Sequence, residues 1–367
     1  MKRKRVAGIM RVRNEGMFIH DCVESCIDAL DELIIVYNDC TDNSAEEIKK
    51  IAEKYPNKIS YFAYPYEVRA FNLSQKEFEE IKNYPEDNPH LLSSYYNFAL
   101  SKVTADYALK IDADQVYFTN KMKEWCDFMR DCEPMRVTLK IYIGKIFKYY
   151  LSAYRYISLK FGGVISLMPS WLLKIMYPAY IEWAKYAFTH DEAAMALSGI
   201  NVLETDETLV SMGHPSKILL LLPPFNGVGD TIMFKMSDKV YFRKLVVDEY
   251  NTNISDNFNV VEEFVHPYKT MTYIGYFWKH VRTMRPGVRE AALKAYSIDK
   301  EAFLDIDSFK KLSYRKILRH SPKTIFFPFY RILFEFIYKS NKNDLFYSLA
   351  NESFGQLKKT EKTCLLF

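Results

Sequence analysis

Several things are missing from this 367-residue chain, and each absence removes a class of function. No C-x-x-C pair occurs among the six cysteines, so a zinc site of that pattern is not expected. No G-x-x-x-x-G-K-S/T run is present, which excludes a P-loop kinase or ATPase. No G-x-G-x-x-G follows the first strand pattern, which argues against a dinucleotide oxidoreductase. Nor does that strand lead into a glycine-rich, lysine-containing phosphate loop, which argues against a sugar-phosphate nucleotidyltransferase. The longest uncharged stretch, Phe161 to Leu173, falls short of the roughly 20 residues that a membrane-crossing helix needs. Internal repeats and low-complexity tracts are absent, and a net charge of +4 is too mild to make nucleic acid the main partner. The basic start, Met1 to Arg5, runs straight into an apolar strand pattern with no cleavable apolar region, so the thiols are expected reduced in a cytosolic compartment. The last four residues, Cys364 to Phe367, match a prenylation box, a match short enough to arise by chance.

What is abundant is aromatic: 28 Tyr and 26 Phe. The first third alternates regularly. Val6 to Val12 reads as a buried strand, followed by a helix from about Glu15 with Phe18, Ile19, Cys22, Val23, Cys26, Ile27 and Leu30 on one face. Leu33 to Val36 reads as a second strand ending in the turn Asn38-Asp39-Cys40-Thr41-Asp42-Asn43. Ser44 with Glu47 predicts a capping box for the next helix. Ile59 to Ala63 is a third strand, Tyr66 to Pro89 a polar loop over the site, Leu91 to Val103 a helix, and Tyr107 to Ile111 a fourth strand. This βαβ succession predicts a parallel, Rossmann-like sheet whose ligands bind at the carboxyl ends of the strands.

At that edge stand the polar candidates. Asp112 and Asp114 follow the fourth strand as a D-x-D triplet. Two carboxylates there can grip a hard divalent cation, Mn²⁺ or Mg²⁺, that in turn grips phosphate oxygens. Asp39 and Asp42 follow the second strand, where a carboxylate can accept from a ribose hydroxyl or a base N–H; an Asx-turn with helix capping is the alternative for Asp42. Arg11, Arg13 and Glu15 follow the first strand, and a guanidinium there suits a diphosphate or a base carbonyl. Attack by a hydroxyl group needs a carboxylate to take its proton. Among Asp191, Glu192, Asp230, Glu262 and Glu263 the preferred candidate is Asp230, after the glycine-rich turn Asn226 to Gly229. His280, in a segment of aromatic and cationic residues, is a candidate for the metal shell or a phosphate, or else a packed core histidine.

Between Val137 and Ala184, Lys140, Lys145, Lys148, Arg155, Lys160 and Lys174 face a single acid, Glu182, among many aromatics. Lys310 to Lys342 carries nine basic residues against Glu335. Both stretches suit helices lying on an anionic membrane surface, with buried helices bearing solvated basic edges as the alternative.

Arg11-Val12-Arg13-Asn14-Glu15, Tyr37-Asn38-Asp39-Cys40-Thr41-Asp42 and Lys110-Ile111-Asp112-Ala113-Asp114 together resemble the GT-A fold glycosyltransferases of family 2 type. The closer similarity is to bacterial lipooligosaccharide β-1,4-N-acetylgalactosaminyltransferases, which share the Y-N-D-C-T-D turn. They also share a Y-P-Y-E segment (Tyr64 to Glu67), an S-Y-Y-N helix start (Ser94 to Asn97) and a K-I-D-x-D metal motif. The resemblance covers about the first 120 residues. It implies an α/β GT-A (Rossmann-like) nucleotide-diphospho-sugar transferase fold, here with a helical insertion and a helical C-terminal extension. It implies a UDP-sugar donor, best matched by GalNAc, a Mn²⁺ or Mg²⁺ ion, inversion, and a saccharide acceptor on a lipid-linked surface glycan. Asp39 would then contact uridine, Asp112 the ribose or metal, and Asp114 the metal. Residues 1–118 would be the nucleotide-sugar half. Residues 119–290 would form the acceptor half, with a basic aromatic insertion at about 120–190, and 291–367 a helical, membrane-associating region. The expected location is cytoplasmic, peripheral on the inner face of the cell membrane. The rival expectations are a nucleotidyltransferase and an inactive membrane-associated scaffold.

Overall fold

The computed structural model describes residues 3–160, 170–206, 209–212, 225–247, 258–300 and 303–304. In chain order the first elements are β1 (Val6–Val12), α1 (Ile19–Cys26), β2 (Glu32–Tyr37), α2 (Ser44–Lys54), β3 (Ile59–Ala63), α3 (Gln75–Ile81), α4 (Leu92–Leu100) and β4 (Tyr107–Asp112). Then come β5 (Gln115–Tyr117), α5 (Thr119–Asp131), α6 (Leu139–Lys160), α7 (Ser170–Thr189), β6 (Ala193–Asn201), β7 (Leu203–Glu204) and β8 (Leu209–Met212). The last are β9 (Phe225–Lys235), β10 (Tyr241–Val247), β11 (Asn259–Val265), β12 (Thr270–His280), α8 (Val288–Ile298) and β13 (Phe303–Leu304). The chain divides into two compact units. The first comprises residues 1–114, 123–131 and 233–269, the second 115–122, 132–232 and 270–367.

In the first unit β3, β2, β1 and β4 lie side by side and parallel, in that order. The near-continuous apolar runs of β1 and β2 suit strands covered on both faces, and their side chains are almost all buried. At the outer edge β3 leaves Ser60, Tyr61 and Ala63 exposed. Helix α1 turns Ile19, Cys22, Val23 and Cys26 inward; α2 does so with Ile48, Ile51 and Ala52, and α4 with Leu92, Tyr95, Tyr96 and Ala99. Chain order reverses direction between β1 and β4, so the crevice outside their carboxyl ends is the topological switch point where such sheets bind ligands. The end of β9 runs antiparallel beside β4, Tyr107 opposite Lys235 and Leu109 opposite Met233. Strands β10 and β11 form an antiparallel ribbon. It docks through Asn97, whose amide donates to Phe242 O at 2.7 Å and accepts from Phe242 N at 2.8 Å.

In the second unit β6 and β12 are parallel neighbours, and β5 runs antiparallel to β12 with Tyr117 opposite Trp278 and Gln115 opposite His280. Trp278, Phe277, Tyr117 and Phe118 are buried around them. The helices α6 and α7 pack together through Phe147, Tyr180 and Trp183. Among the described residues no helix is long and apolar enough to cross a membrane. The insertion expected at about 120–190 is helical as α5, α6 and α7. The basic stretch Lys310 to Lys342 and the terminal tetrapeptide lie outside the described residues.

Three local expectations are corrected. The stretch Tyr66 to Pro89 is not a plain loop. Ser74 and Glu77 form a reciprocal capping box that starts α3, and Leu73 bridges Phe258. The capping box expected at Ser44 and Glu47 does not form. Ser44 is already helical, its hydroxyl accepts from Glu15 N at 2.8 Å, and the side chain of Asp42 takes Ser44 N at 3.0 Å. Asn226 to Gly229 is strand, not turn, because it continues into the β-branched and apolar Thr231-Ile232-Met233-Phe234 of β9; strand pairing overrides the local preference of glycine.

Candidate active site

The carboxyl edge of the first unit is built from loops that hold one another. Tyr95, buried on α4, donates its hydroxyl to Val36 O at 2.7 Å and reaches Val12 O at 3.2 Å, tying the ends of β1 and β2 together. Asn14 Oδ1 accepts from Thr41 N at 2.7 Å, and Asp42 Oδ2 accepts from Gly16 N at 3.0 Å. The loop after β1 is thereby stitched to the loop after β2. Asn14 and Asp39 take left-handed backbone conformations, φ 56° and 45°, which side-chain-bearing residues adopt at a cost. Burial raises the carboxyl pKa of Asp42, but hydrogen bonds from the Ser44 side chain and backbone and from Gly16 outweigh it. The net shift is below the ordinary value.

Arg11 and Asp112 stand opposite each other in register across the β1–β4 switch point. The Arg11 guanidinium lies over the rings of Tyr96 (5.3 Å) and Tyr95 (5.8 Å). Burial opposes its charge, yet the fields of Tyr96, Glu262 and Asp112 hold its pKa above the ordinary value, so it stays protonated. Lys110 lies two residues before Asp112, on the same face of β4. Its ammonium pairs with Glu262 Oε1 at 3.0 Å and sits 4.9 Å from the Tyr96 ring centroid. Burial disfavours its charge too, but Tyr96, Glu262 and Asp112 overcome that and raise its pKa. Two cations and two carboxylates thus share one largely buried face around a single tyrosine ring. Asp114, just past the strand, is 8% exposed. Among the described residues no group of three or more metal-ligating side chains gathers. Two carboxylates flanking a β-strand end offer hard oxygen donors, which suit Mg²⁺ or Mn²⁺ with the remaining ligands drawn from phosphate and water.

Beside this edge a cavity of about 280 Å³ is lined by Arg11, Arg13, Asn38, Val68, Arg69 and Phe71, among others. Arg13 donates to Val68 O at 3.0 Å and to Asp39 Oδ2 at 2.6 Å, so Asp39 is held in an exposed ion pair. Asn38 is buried and donates from its amide to Tyr66 O at 3.3 Å. Glu15 follows on the β1 loop, its N–H held by Ser44.

Of the candidates, Arg11, Arg13, Glu15, Asp39, Asp42, Asp112 and Asp114 all belong to the carboxyl edge of the first unit. Asp230 lies in β9, in the second unit, and its side chain is outside the described residues. His280 closes β12 of the second unit, with Nδ1 3.0 Å from Asn201 Oδ1. Of the other base candidates, Glu262 is paired with Lys110, Glu263 with Arg243 at 2.6 Å, and Asp191 is an exposed turn residue with φ 55°. Sequence reasoning did not single out Asn38, Tyr95, Tyr96 or the Lys110–Glu262 pair as site residues. The S-Y-Y-N segment was the available signal: one tyrosine ties strand ends, the next lies under two cations, and the asparagine fastens the β10–β11 ribbon.

Residues 5–150 match the model of a family described as Beta-1,4-N-acetylgalactosaminyltransferase (CgtA). No curated protein sequence matches the chain. Solved structures similar to it include glucosyl-3-phosphoglycerate synthase from Mycobacterium tuberculosis with Mn²⁺, UDP and glucosyl-3-phosphoglycerate. That match has 15% identity and a TM-score of 0.20, over 31% of this chain and 34% of that chain. The same enzyme with Mn²⁺, UDP-glucose and phosphoglyceric acid, and with Mg²⁺ and UDP, matches at the same values. The chain therefore spans about a third of the length of these solved structures. The family match, over residues 5–150, bears out the resemblance read from the motifs.

Proposed function

We propose that this chain, whose residues 5–150 match the N-acetylgalactosaminyltransferase family model, is a glycosyltransferase of GT-A fold that moves a sugar from a UDP-sugar donor to a saccharide acceptor. The donor sugar is GalNAc, the acceptor a lipid-linked surface glycan, and the reaction inverts the anomeric centre. The enzyme works at the inner face of the cell membrane. One observation carries the reading: Arg11 and Asp112 face each other across the switch point of a parallel sheet, with Asp114 two residues on. A guanidinium beside a carboxylate pair is what a metal–diphosphate requires, a cation for the phosphate oxygens and hard oxygen ligands for the ion.

Asp112 and Asp114 would hold the Mn²⁺ or Mg²⁺, which draws charge from the departing diphosphate. Arg11, kept protonated by its surroundings, offers donors to the diphosphate or to the base. Arg13 orients Asp39 toward the nucleoside, and Asn38 and Arg69 add polar groups to the same cavity. Asp42 holds the two loops in place, and Glu15 belongs to the loop it holds. The proton acceptor and the further metal ligand expected from the sequence, Asp230 and His280, are tested by single substitution in the same assay.

That assay is UDP release from a panel of UDP-sugars with Mn²⁺, with Mg²⁺ and with chelator. The expected result is metal-dependent release, greatest with UDP-GalNAc. Asp114→Asn should lower kcat/KM by about 10²-fold or more with an unchanged melting temperature. Chelator-insensitive turnover, or an Asp114→Asn enzyme as active as the wild type, would overturn the metal role. Pyrophosphate release from a sugar phosphate and UTP would replace the transferase reading with a nucleotidyltransferase one.

A further inference from the structure

Helix α6 has two apolar faces. Ile141, Gly144 and Phe147, three residues apart, are buried. Leu139, Tyr142, Ile146 and Tyr149, spaced three, four and three, fall on the opposite side at 100° per residue and are 78%, 59%, 57% and 58% exposed. A surface helix ordinarily turns polar residues outward. Single exposed apolar residues are common, whereas a continuous stripe marks an interaction surface.

The charge around the stripe selects its occupant. Between Pro134 and Ile181 the sequence has seven basic residues and no acidic one. Arg136 and Lys145 are exposed beside the stripe. A second copy docked face to face would set this basic helix against itself, and the C-terminal stretch Lys310 to Lys342, with nine basic residues and one acid, is no better matched. An anionic bilayer complements both features. Leucine and isoleucine can enter the acyl boundary, tyrosine rings prefer the headgroup depth, and lysine and arginine meet lipid phosphates.

We propose that the outward face of α6, formed by Leu139, Tyr142, Ile146 and Tyr149 and flanked by Arg136 and Lys145, is a membrane-insertion face for an anionic bilayer. This narrows the membrane reading of the proposed function to one helix face and rests on that reading. The test is co-sedimentation of the full chain with vesicles of phosphatidylcholine alone and of phosphatidylcholine mixed with phosphatidylglycerol, for wild type and Ile146→Glu. A Leu139→Ser/Ile146→Ser double variant serves as a second, uncharged probe, and far-UV circular dichroism checks the fold. Wild type should pellet with the anionic mixture and be released by high salt. Both variants should bind about tenfold more weakly, with UDP release to a soluble acceptor unchanged. Variants that pellet like wild type would reject the α6 face and leave the membrane reading standing. A wild type that fails to pellet with anionic vesicles would overturn both. A dimer in light scattering that Ile146→Glu dissociates would reassign the stripe to self-association and overturn the proposal.

Discussion

Asp42 is a carboxylate whose ionisation is stabilised by the fold: Ser44 and Gly16 donate to it, and its pKa falls despite some burial. A group whose folded pKa is depressed contributes stability above its unfolded pKa, near 3.9, and loses it as pH falls through the lower folded value. Asp42→Asn should therefore lower the melting temperature at pH 7 by about 2 °C. The gap to wild type should close as the pH is taken below about 4. A gap that persists unchanged at acid pH would show that the carboxylate's charge is not what matters. At this scale the sequence was most legible where a residue's role is local. The Asx-type alternative for Asp42 could be read from its neighbours. The clustering of Arg11, Lys110, Asp112 and Glu262 around Tyr96 could not, because Glu262 lies 152 positions from Lys110 and reaches it only through the docking of the β10–β11 ribbon.

Among elements, the α6–α7 crossing depends on the lack of a side chain at Gly144. A β-carbon built there would run into the backbone oxygen of Ala179 and sit 2.8 Å from Cβ of Trp183, and a backbone atom in a helix cannot step aside cheaply. Gly144→Ala should cost about 1–3 kcal/mol in urea unfolding, as overpacking does. Ile146→Ala, on the opposite face, should stay within about 0.5 kcal/mol. Equal costs at the two positions would mean the helices separate freely. The strands and helices of the first third were readable because apolar periodicity there is strong, and β1 and β3 fall at the expected bounds. Helix α3 was missed because its seven residues bury only Phe78 and Ile81, too few to show a period. The strand at Asn226 to Gly229 was missed because glycine carries no strand signal and the pairing partner is far away in sequence.

At the scale of the molecule, the described cysteines are all free thiols: Cys22, Cys26, Cys126 and Cys132 are buried and Cys40 is partly exposed. Burial raises the pKa of Cys126 to about 12 and holds that of Cys22 above its usual value, so neither supplies thiolate at neutral pH. In native protein, Cys40 should react first with an aromatic disulfide reagent. Those four should label only as fast as the protein opens, and at once in denaturant. Rapid native labelling of Cys126 would mean that α5 leaves its place far more often than its packing suggests. The parallel half of the architecture was legible from alternation alone. The division into two units, each assembled from separated stretches of chain, was not, because nothing in a one-dimensional pattern records which distant segments share a core.

The unusual backbone at Asn14 and Asp39 carries a consequence for how this molecule could change over generations. Glycine would adopt both angles with less strain, so replacement of Asp39 by glycine is a route to a sturdier but chemically blunted relative. A variant selected only for heat tolerance would drift that way, gaining robustness while shedding the acid group that Arg13 now steadies.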